Sequence, residues 1–257
     1  MAILPNVASV EMMGVRIDRL TKPELLAWLD AAAAGERLRL AANVNAHAMN
    51  LAWERPAFRA TLNRADLVFV DGFGVALAAR WLGLEVGERL TLADWMPDFL
   101  HQCAEKRRSV FWLGDTDEVG AAFEAWVRRH FPGLRWAGCH HGFFDHHGPE
   151  SEAVCAQITG SGAEVLLVGM SMPIQEEWLD RYRGALSGVR LAIACGGYAR
   201  IATGIIPRGP RWMTDHGLEW LYRFFQQPRY TWKRYWLGNP RFLLRALAWR
   251  HCGAKPR

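Results

Sequence analysis

The hydrophobic positions of this chain fall into short continuous runs that alternate with stretches of helical periodicity. Continuous apolar runs of about four to eight residues are typical of strands that are buried on both faces of a sheet. The runs lie at residues 38–45, 67–70, 110–113, 134–138, 165–168 and 191–194. Because helix-like stretches separate them, the pattern predicts an α/β fold, with a Rossmann-like, mostly parallel sheet and helices on both of its faces.

Helix signals lie between the apolar runs. Thr21 and Glu24 have the spacing of a capping box, with Pro23 in the first turn. We therefore expect a helix that begins after Thr21 and ends by Gly35. Further helices are expected at residues 46–53, 56–63, 94–105, 116–130, 150–160 and 174–183.

The alternation ends near Pro210. The remaining sequence predicts two or three helices, interrupted at Pro228 and at Gly238-Asn239-Pro240. We therefore expect two parts, a Rossmann-like domain at residues 1–207 and a C-terminal helical appendage at residues 208–257.

The appendage is basic and rich in tryptophan. Residues 208–257 hold eleven Lys or Arg residues, two acidic residues and five of the thirteen Trp residues. Since the whole chain carries a net charge of +5 and this segment +9, the preceding residues sum to −4. Guanidinium groups and Trp rings suit a surface of lipid headgroups. The alternatives are single-stranded nucleic acid, an amphipathic helix bundle packed on the body, or an oligomer contact.

The cysteines, the N-terminal residues and the lengths of the apolar runs indicate the cellular compartment. Five cysteines, which form neither a CxxC pair nor a regular framework, fit reduced thiols in a cytoplasm. The first residues lack the basic region and long apolar core of a signal peptide. No apolar run approaches the ~18–20 residues of a membrane span. We therefore expect a cytoplasmic protein that contacts a membrane only peripherally.

Small, acidic and carboxamide residues follow the predicted strands. In parallel sheets ligands bind just beyond the carboxyl ends of strands, and glycine there lets backbone N–H groups approach an anion. The candidates are Asn43, Asn45, Asp71, Gly72, Gly114, Gly169, Gln175, Gly196 and Gly197. Neither a G-x-G-x-x-G nor a Walker A sequence follows these strands, which counts against a Rossmann-like enzyme with another nucleotide cofactor.

Several segments taken together resemble one protein family. They are NVNAHAMNLAWERPAFRATLNRADLVFVDGFGVALAARWLG, GERLTLADWMPDFL, VFWLGD, PGLRWAGCHHGFF, VLLVGMSMPIQEEW and PRWMTDHGLEWLYRFFQQPRYTWKRYWLGNPRFL. In this order, over roughly residues 10–245, they resemble the WecG/TagA/CpsF glycosyltransferases of bacterial surface-polysaccharide synthesis.

The resemblance implies an inverting transferase that needs neither a metal ion nor another cofactor. Such enzymes move a sugar from a UDP-sugar donor to a polyprenyl-diphosphate-linked saccharide at the cytoplasmic face of the membrane. Typical sugars are N-acetylmannosamine, its uronic acid and glucose. The resemblance also suggests homo-oligomers, and it does not suggest a nucleic-acid partner. Asn43 stands where relatives commonly carry Thr, and Ala199-Arg200 stands where many carry Phe-Asp, so the donor sugar stays open.

Three residues match the family's catalytic positions. Asp71 follows a buried strand directly and precedes flexible Gly72, which makes it the best-placed carboxylate to deprotonate an acceptor hydroxyl; the alternative is a turn or helix N-cap residue. Arg89 would neutralise phosphate charge, unless it is a solvated surface arginine. The carboxamide of Gln175 would hydrogen-bond the donor sugar or the acceptor, in a turn where Pro173 starts a helix.

The other matches are binding residues. Asn45 corresponds to a pocket asparagine of the family, and Gly169 would admit a ligand close to the backbone. The arginines expected to reach a diphosphate, when the appendage closes over the site at a membrane, are Arg211, Arg223, Arg229 and Arg234. The expected interfacial anchors are Trp220, Trp232 and Trp236.

Three short sequences resemble metal sites. Asp115-Thr116-Asp117 has the D-x-D pattern of another glycosyltransferase class, but Asp115 and Glu118 are spaced as a capping pair that opens a helix. Cys139-His140-His141 and Asp145-His146-His147 contain common ligand types. Because adjacent residues at a strand end point in opposite directions, and no second cysteine pair follows, we expect no metal site.

Overall fold

The computed structural model of the 257-residue chain describes residues 4–215, 219–226, 232 and 236–251. Its centre is a six-stranded sheet in the order β4-β3-β8-β7-β5-β6, and every neighbouring pair is parallel. The strands are β3 (Arg39–Val44), β4 (Leu67–Val70), β5 (Ser109–Gly114), β6 (Arg135–His140), β7 (Val165–Gly169) and β8 (Leu191–Ala194). The predicted Rossmann-like α/β fold is confirmed, and all six predicted strands are present.

An antiparallel hairpin precedes the sheet and was not predicted from the sequence. Its strands are β1 (Ser9–Met12) and β2 (Val15–Asp18), joined at Met13 and Gly14, which both have positive φ angles. The carboxylate of Asp18 accepts a hydrogen bond from the backbone N–H of Val68 at 2.7 Å. Burial raises the pKa of Asp18, whereas this hydrogen bond and Arg16 act in the opposite direction. The hairpin therefore joins the large sheet through a buried polar contact.

Helices cover both faces of the sheet. The helices of the described residues are α1 (Lys22–Ala33), α2 (Ala46–Glu54), α3 (Pro56–Arg64), α4 (Phe73–Leu82), α5 (Leu92–Glu105), α6 (Asp117–His130), α7 (Pro149–Gly160), α8 (Ile174–Tyr182), α9 (Tyr198–Ala202), α10 (Arg211–Asp215), α11 (Glu219–Gln226) and α12 (Gly238–His251). The capping box before α1 is confirmed, since the backbone N–H and the hydroxyl of Thr21 both donate to Glu24 at 2.8 Å.

Alternate residues of each strand enter different hydrophobic clusters on the two sides of the sheet. In β4, Val68 and Val70 belong to one cluster and Leu67 and Phe69 to the other. All four side chains are buried, as the period of two along a strand requires when both faces are covered. The backbone of each strand is therefore held from both sides, which fixes the positions of the residues at its carboxyl end.

The last described helix, α12, packs on the body of the protein. Phe242 and Ala246 are buried and belong to the same cluster as Val68 and Val70. At the surface of this contact, Arg245 donates to the side chain of Asn50 at 2.9 Å. Helix α12 therefore shares the hydrophobic core of the Rossmann-like part. None of the helices within the described ranges has the length and apolar composition that a membrane span requires.

Candidate active site

A cavity of about 940 Å³ opens at the carboxyl ends of β3, β4, β7 and β8. In a parallel sheet this is the edge at which ligands bind, because strand ends and helix N-termini converge there. Eight of the residues predicted from the sequence line it, namely Asn43, Asn45, Asp71, Gly72, Arg89, Gln175, Gly196 and Gly197. The topology therefore brings together residues that are up to about 150 positions apart in the chain.

Asp71 is the carboxylate at this edge. It follows β4 directly, and its backbone N–H donates to the carbonyl of Val44 at the end of β3, at 3.0 Å. The N-cap residue of α4 is Gly72, not Asp71, so the alternative interpretation of Asp71 as the cap of this helix does not apply. Asp71 is half-buried and lines the cavity, and two adjacent strands hold its backbone in place.

Gly72 is required by the close approach of two strand ends. A Cβ atom at this position would lie 2.7 Å from Cβ of Asn45 and 3.0 Å from its Cα. Asn45 in turn is the N-cap of α2, since its Oδ1 accepts from the backbone N–H groups of His47 (3.0 Å) and Ala48 (3.1 Å). The residues after β3 and β4 thus pack directly against each other beside Asp71.

Arg89 lies in the segment between α4 and α5, half-buried at the wall of the cavity. Its Nη2 donates to the carbonyl of Thr214 in α10 at 2.8 Å. The alternative of a solvated surface arginine therefore does not describe this residue. The contact joins the cavity wall to the beginning of the C-terminal segment.

Two carboxamides, one near the end of β3 and one after β7, join strand ends. Nδ2 of Asn43, which is buried, donates to the carbonyl of Ala194 at the end of β8 at 2.9 Å. Oε1 of Gln175 accepts from the backbone N–H of Gly196 at 3.0 Å, and its Nε2 donates to Glu176 at 2.7 Å. Both side chains thereby fix β8 and the turn that follows it.

Glu176 is the most strongly perturbed carboxyl group near the cavity, and sequence reasoning missed it. Burial raises its pKa to about 7 from an ordinary value of 4.5, against the hydrogen bond from Gln175. Its second oxygen, Oε2, is buried without a hydrogen-bond partner. The sequence signal was two adjacent acids, Glu176 and Glu177, at the start of a helix, a pattern that is typical of a solvated first turn.

Gly114 and Gly169 do not line the cavity; they let strand ends pack closely. A Cβ at Gly114, whose φ is +151°, would lie 2.4 Å from the carbonyl oxygen of Gly169. A Cβ at Gly169 would lie 2.6 Å from the carbonyl oxygen of Gly196. Only glycine fits such distances, so these two residues set the spacing between the ends of β5, β7 and β8.

The expected capping role of Asp115 is wrong. The N-cap of α6 is Thr116, whose hydroxyl accepts from the backbone N–H of Val119 at 3.4 Å. Asp115 has a φ of +56°, which turns it away from the helix, and it forms a bidentate ion pair with Arg200 at 2.5 Å. This carboxylate thus joins the end of β5 to α9, which is next to the cavity.

The histidine-rich sequences are held by backbone contacts. Nδ1 of His140 lies 2.7 Å from the carbonyl oxygen of His141, and Nε2 of His146 lies 3.0 Å from that of Gly142. In the part of the chain that the structure describes, no group of three or more His, Cys, Asp and Glu side chains is arranged to hold a metal ion.

The arginines of the appendage are only partly described. Arg211 begins α10 and Arg223 lies within α11, whereas Arg229 and Arg234 lie outside the described residues, as does Pro228. Arg241, in the first turn of α12, lines the cavity and forms an ion pair with Glu54 at 3.2 Å. Sequence reasoning missed Arg241, because only the fold brings α12 against α2.

One face of α2 also lines the cavity and was missed. His47, Asn50 and Glu54 are three and four residues apart, which places them on the same side of the helix. Their spacing was visible in the sequence, but the orientation of that face depends on how α2 packs on the sheet.

The chain matches the model of a family described as "Glycosyl transferase WecG/TagA/CpsF family" over residues 10–255. It is 28% identical over 205 residues to the N-acetylglucosaminyldiphosphoundecaprenol N-acetyl-beta-D-mannosaminyltransferase of Bacillus spizizenii, an alignment that covers 80% of this chain and 77% of the relative. A protein of the same name from Staphylococcus aureus strain MRSA252 is 27% identical over 220 residues, which are 85% of each chain. Since the family match extends over nearly the whole sequence, the chain belongs to the WecG/TagA/CpsF family of glycosyltransferases.

Proposed function

We propose that the protein is an inverting, metal-independent glycosyltransferase that moves a sugar from a UDP-sugar to a polyprenyl-diphosphate-linked saccharide. The observation that carries the proposal is that Asp71, Arg89 and Gln175 line one cavity at the nucleotide-binding edge of a parallel sheet. The names of the relatives point to N-acetylmannosamine as the sugar and to N-acetylglucosaminyl-diphosphoundecaprenol as the acceptor.

In the proposed reaction Asp71 is the general base. Its carboxylate takes the proton of an acceptor hydroxyl, whose oxygen attacks the anomeric carbon of the donor sugar. The bond from that carbon to the diphosphate breaks on the opposite face, and UDP leaves with the electron pair. One displacement inverts the configuration at the anomeric carbon, so no covalent sugar–enzyme intermediate is needed.

The other residues bind and stabilise charge. Arg89 neutralises the negative charge that develops on the departing diphosphate, because a guanidinium group pairs with phosphate oxygens bidentately. The turn at Gly196 and Gly197, which carry no side chains, lets the donor approach the backbone closely. Gln175 and Asn45 provide carboxamides for hydroxyl groups of the sugars. A cavity of about 940 Å³ is at the upper end of the range that encloses small ligands.

We assign the C-terminal segment, residues 208–257, to docking on the cytoplasmic face of the membrane, beside the Rossmann-like part at residues 1–207. Several of its large apolar side chains, among those that the structure describes, are exposed, in a segment with a net charge of +9. Such side chains enter the headgroup region while arginines meet phosphate. Those that are exposed are Trp212, Phe225, Trp232, Trp236, Leu237, Leu244 and Leu247. Arg211, Arg223 and Arg229 would then meet the acceptor's diphosphate, and self-association would compete with docking.

The experiment is a transfer assay with radiolabelled UDP-sugars and a short-chain lipid-diphosphate saccharide, with and without EDTA. The donors supplied are UDP-N-acetylmannosamine, UDP-N-acetylmannosaminuronic acid and UDP-glucose. We expect transfer from one donor, with a product of inverted anomeric configuration and a rate unchanged by EDTA. Absence of transfer from every donor contradicts the proposed reaction, and loss of activity in EDTA contradicts metal independence.

A further inference from the structure

A chain of hydrogen bonds runs behind the cavity from the turn after β8 into the first turn of α8. The backbone N–H of Gly196 donates to Oε1 of Gln175 at 3.0 Å, and Nε2 of Gln175 donates to Oε1 of Glu176 at 2.7 Å. Gln175 lines the cavity although its own exposure to bulk solvent is 0%, and Glu176 is 4% exposed. The orientation of the Gln175 amide is therefore set by protein groups rather than by solvent.

The orientation of the Gln175 amide is fixed by Gly196. A backbone N–H can only donate, so Gly196 requires the oxygen of the Gln175 amide, and the amide nitrogen must face Glu176. Rotating the amide by half a turn would set two donors against each other at Gly196. The primary amide has two N–H groups, and Glu176 engages one of them.

We propose that Glu176 is a positioning residue, whose carboxyl oxygen holds the Gln175 carboxamide so that its second N–H is presented to the ligand in the cavity. The effect of Glu176 on catalysis rests on the proposed glycosyl transfer. Its effect on the orientation of the Gln175 amide does not depend on that function. Glu176 itself does not touch the ligand, since it does not line the cavity.

The chemistry of the pair supports this assignment. The carboxyl group of Glu176 accepts from Gln175, and its Oε2 is buried without a partner, which disfavours the ionised form. Burial, together with the negative charge of Glu177 on the same helix, raises the pKa of Glu176 to about 7. A neutral carboxyl group still supplies a carbonyl oxygen as acceptor. An amide at position 176 would supply the same acceptor, whereas an aliphatic side chain of similar size would not.

The test compares Glu176→Gln with Glu176→Leu. Both variants remove the charge, but only the first retains an acceptor for Nε2 of Gln175. The direct readout is the side-chain amide signal of Gln175 in protein labelled with ¹⁵N at its five glutamines, assigned by its loss in Gln175→Glu. The second readout is kcat and KM for the donor, and the melting temperature reports folding.

We expect E176Q to keep the Gln175 amide signal and a kcat within about twofold of the parent. In E176L the signal should lose its protection from hydrogen exchange, and kcat/KM should fall about tenfold or more while the protein stays folded. An E176L protein with an unchanged signal and unchanged kcat/KM overturns the proposal. So does an E176Q protein that is as impaired as E176L.

A swapped double variant, Gln175→Glu with Glu176→Gln, keeps the proposal testable if E176L does not fold. The carboxylate at position 175 would accept from Gly196 and from the new amide, so the bond from Gly196 is kept and only the bond between positions 175 and 176 is reversed. We expect a melting temperature close to that of the parent and a loss of transfer of at least about tenfold, because an oxygen replaces the presented N–H. Parental activity in the swapped variant would overturn the proposal. If the parent transfers no sugar, the proposed function fails and the amide signals alone decide the role of Glu176.

Discussion

At the scale of single residues, the site depends on how closely strand ends approach one another. The ends of β3 and β4 meet where Gly72 faces Asn45, and this contact also positions Asp71. Small residues here have a packing function that would be kept even if they never touched a ligand. Binding and packing therefore constrain the same positions.

Gly72→Ala is expected to be destabilising. Its Cβ would lie 2.7 Å from Cβ of Asn45, so the turn must shift, at a cost of about 1–3 kcal/mol in the free energy of unfolding. The matched control is Gly74→Ala in the first turn of α4, where the nearest atom would be Cβ of Ala46 at an ordinary 3.7 Å. That variant should be neutral or slightly stabilising, because alanine favours helix. Urea denaturation measures both, and equal destabilisation of the two would contradict this account of Gly72.

Glu176 should make stability depend on pH. Because its pKa is about 7 in the folded protein against 4.5 ordinarily, the folded state binds more protons than the unfolded state between these values. The stability of the parent relative to E176Q should therefore fall as pH rises from about 4.5 to 7, by about 3 kcal/mol in total. Asp18, whose pKa is also raised, titrates in both proteins and cancels in the comparison. Denaturation series at several pH values measure the difference, and a pH-independent difference would contradict burial of this carboxyl group.

For individual residues, the sequence predicts a position at the cavity better than it predicts the side-chain contacts that the residue forms. Residues that directly follow strands, such as Asp71 and Gly196, lie at the ligand-binding edge because the topology of parallel sheets requires it. The ion pair of Asp115 with Arg200 and the burial of Glu176 depend on distant parts of the chain. No local pattern specifies such contacts.

At the scale of secondary-structure elements, α12 combines a core contact with a wall of the cavity. Phe242 is completely buried, whereas Leu244, two residues later, is 68% exposed. The helix is thus anchored on one side while its opposite side stays in solvent. Its first residues, including Arg241, reach the cavity from this anchored position.

Phe242→Ala tests this anchoring. Removing a buried phenylalanine leaves a cavity in the core and should lower the free energy of unfolding by about 3–5 kcal/mol. Leu244→Ala, on the exposed side, should change it by less than about 0.5 kcal/mol. Chemical denaturation of both variants gives the comparison. Similar small effects would mean that α12 does not share the core.

Strands with continuous apolar runs were predictable, and those without them were not. Strands β3, β4, β5, β7 and β8 are buried on both faces, so their runs are continuous and distinctive. Strands β1 and β2 contain charged residues, Glu11 in β1 and Arg16 and Asp18 in β2, so neither forms such a run. Helix α9 has five residues, fewer than two turns. The hairpin and α9 depend on tertiary packing for their stability.

At the scale of the whole molecule, charge and exposed apolar surface coincide. The C-terminal segment carries the excess of positive charge, and several large apolar side chains there are exposed. Scattered apolar residues are ordinary at a protein surface, but a cluster in a cationic segment indicates an interaction surface. Docking of this surface would bring the cavity to the membrane, where the proposed lipid-linked acceptor lies.

Membrane docking predicts a difference between two equally exposed phenylalanines. Phe225 is 71% exposed in the C-terminal segment, and Phe143 is 72% exposed in the body. We expect Phe225→Ser to reduce sedimentation with anionic vesicles at least about threefold and Phe143→Ser to leave it unchanged. Binding should weaken as salt is raised, because the arginine–phosphate attraction is screened. Equal behaviour of the two variants would contradict docking through this segment.

Transfer kinetics of Asp71→Asn, with UDP binding measured alongside, decide whether Asp71 abstracts the proton of the acceptor at this cavity. The amide has nearly the same size as the carboxylate but cannot accept the proton. We expect kcat to fall by about 10²–10⁴-fold while the Kd for UDP stays within about threefold of the parent. Turnover close to that of the parent protein would contradict this role of Asp71.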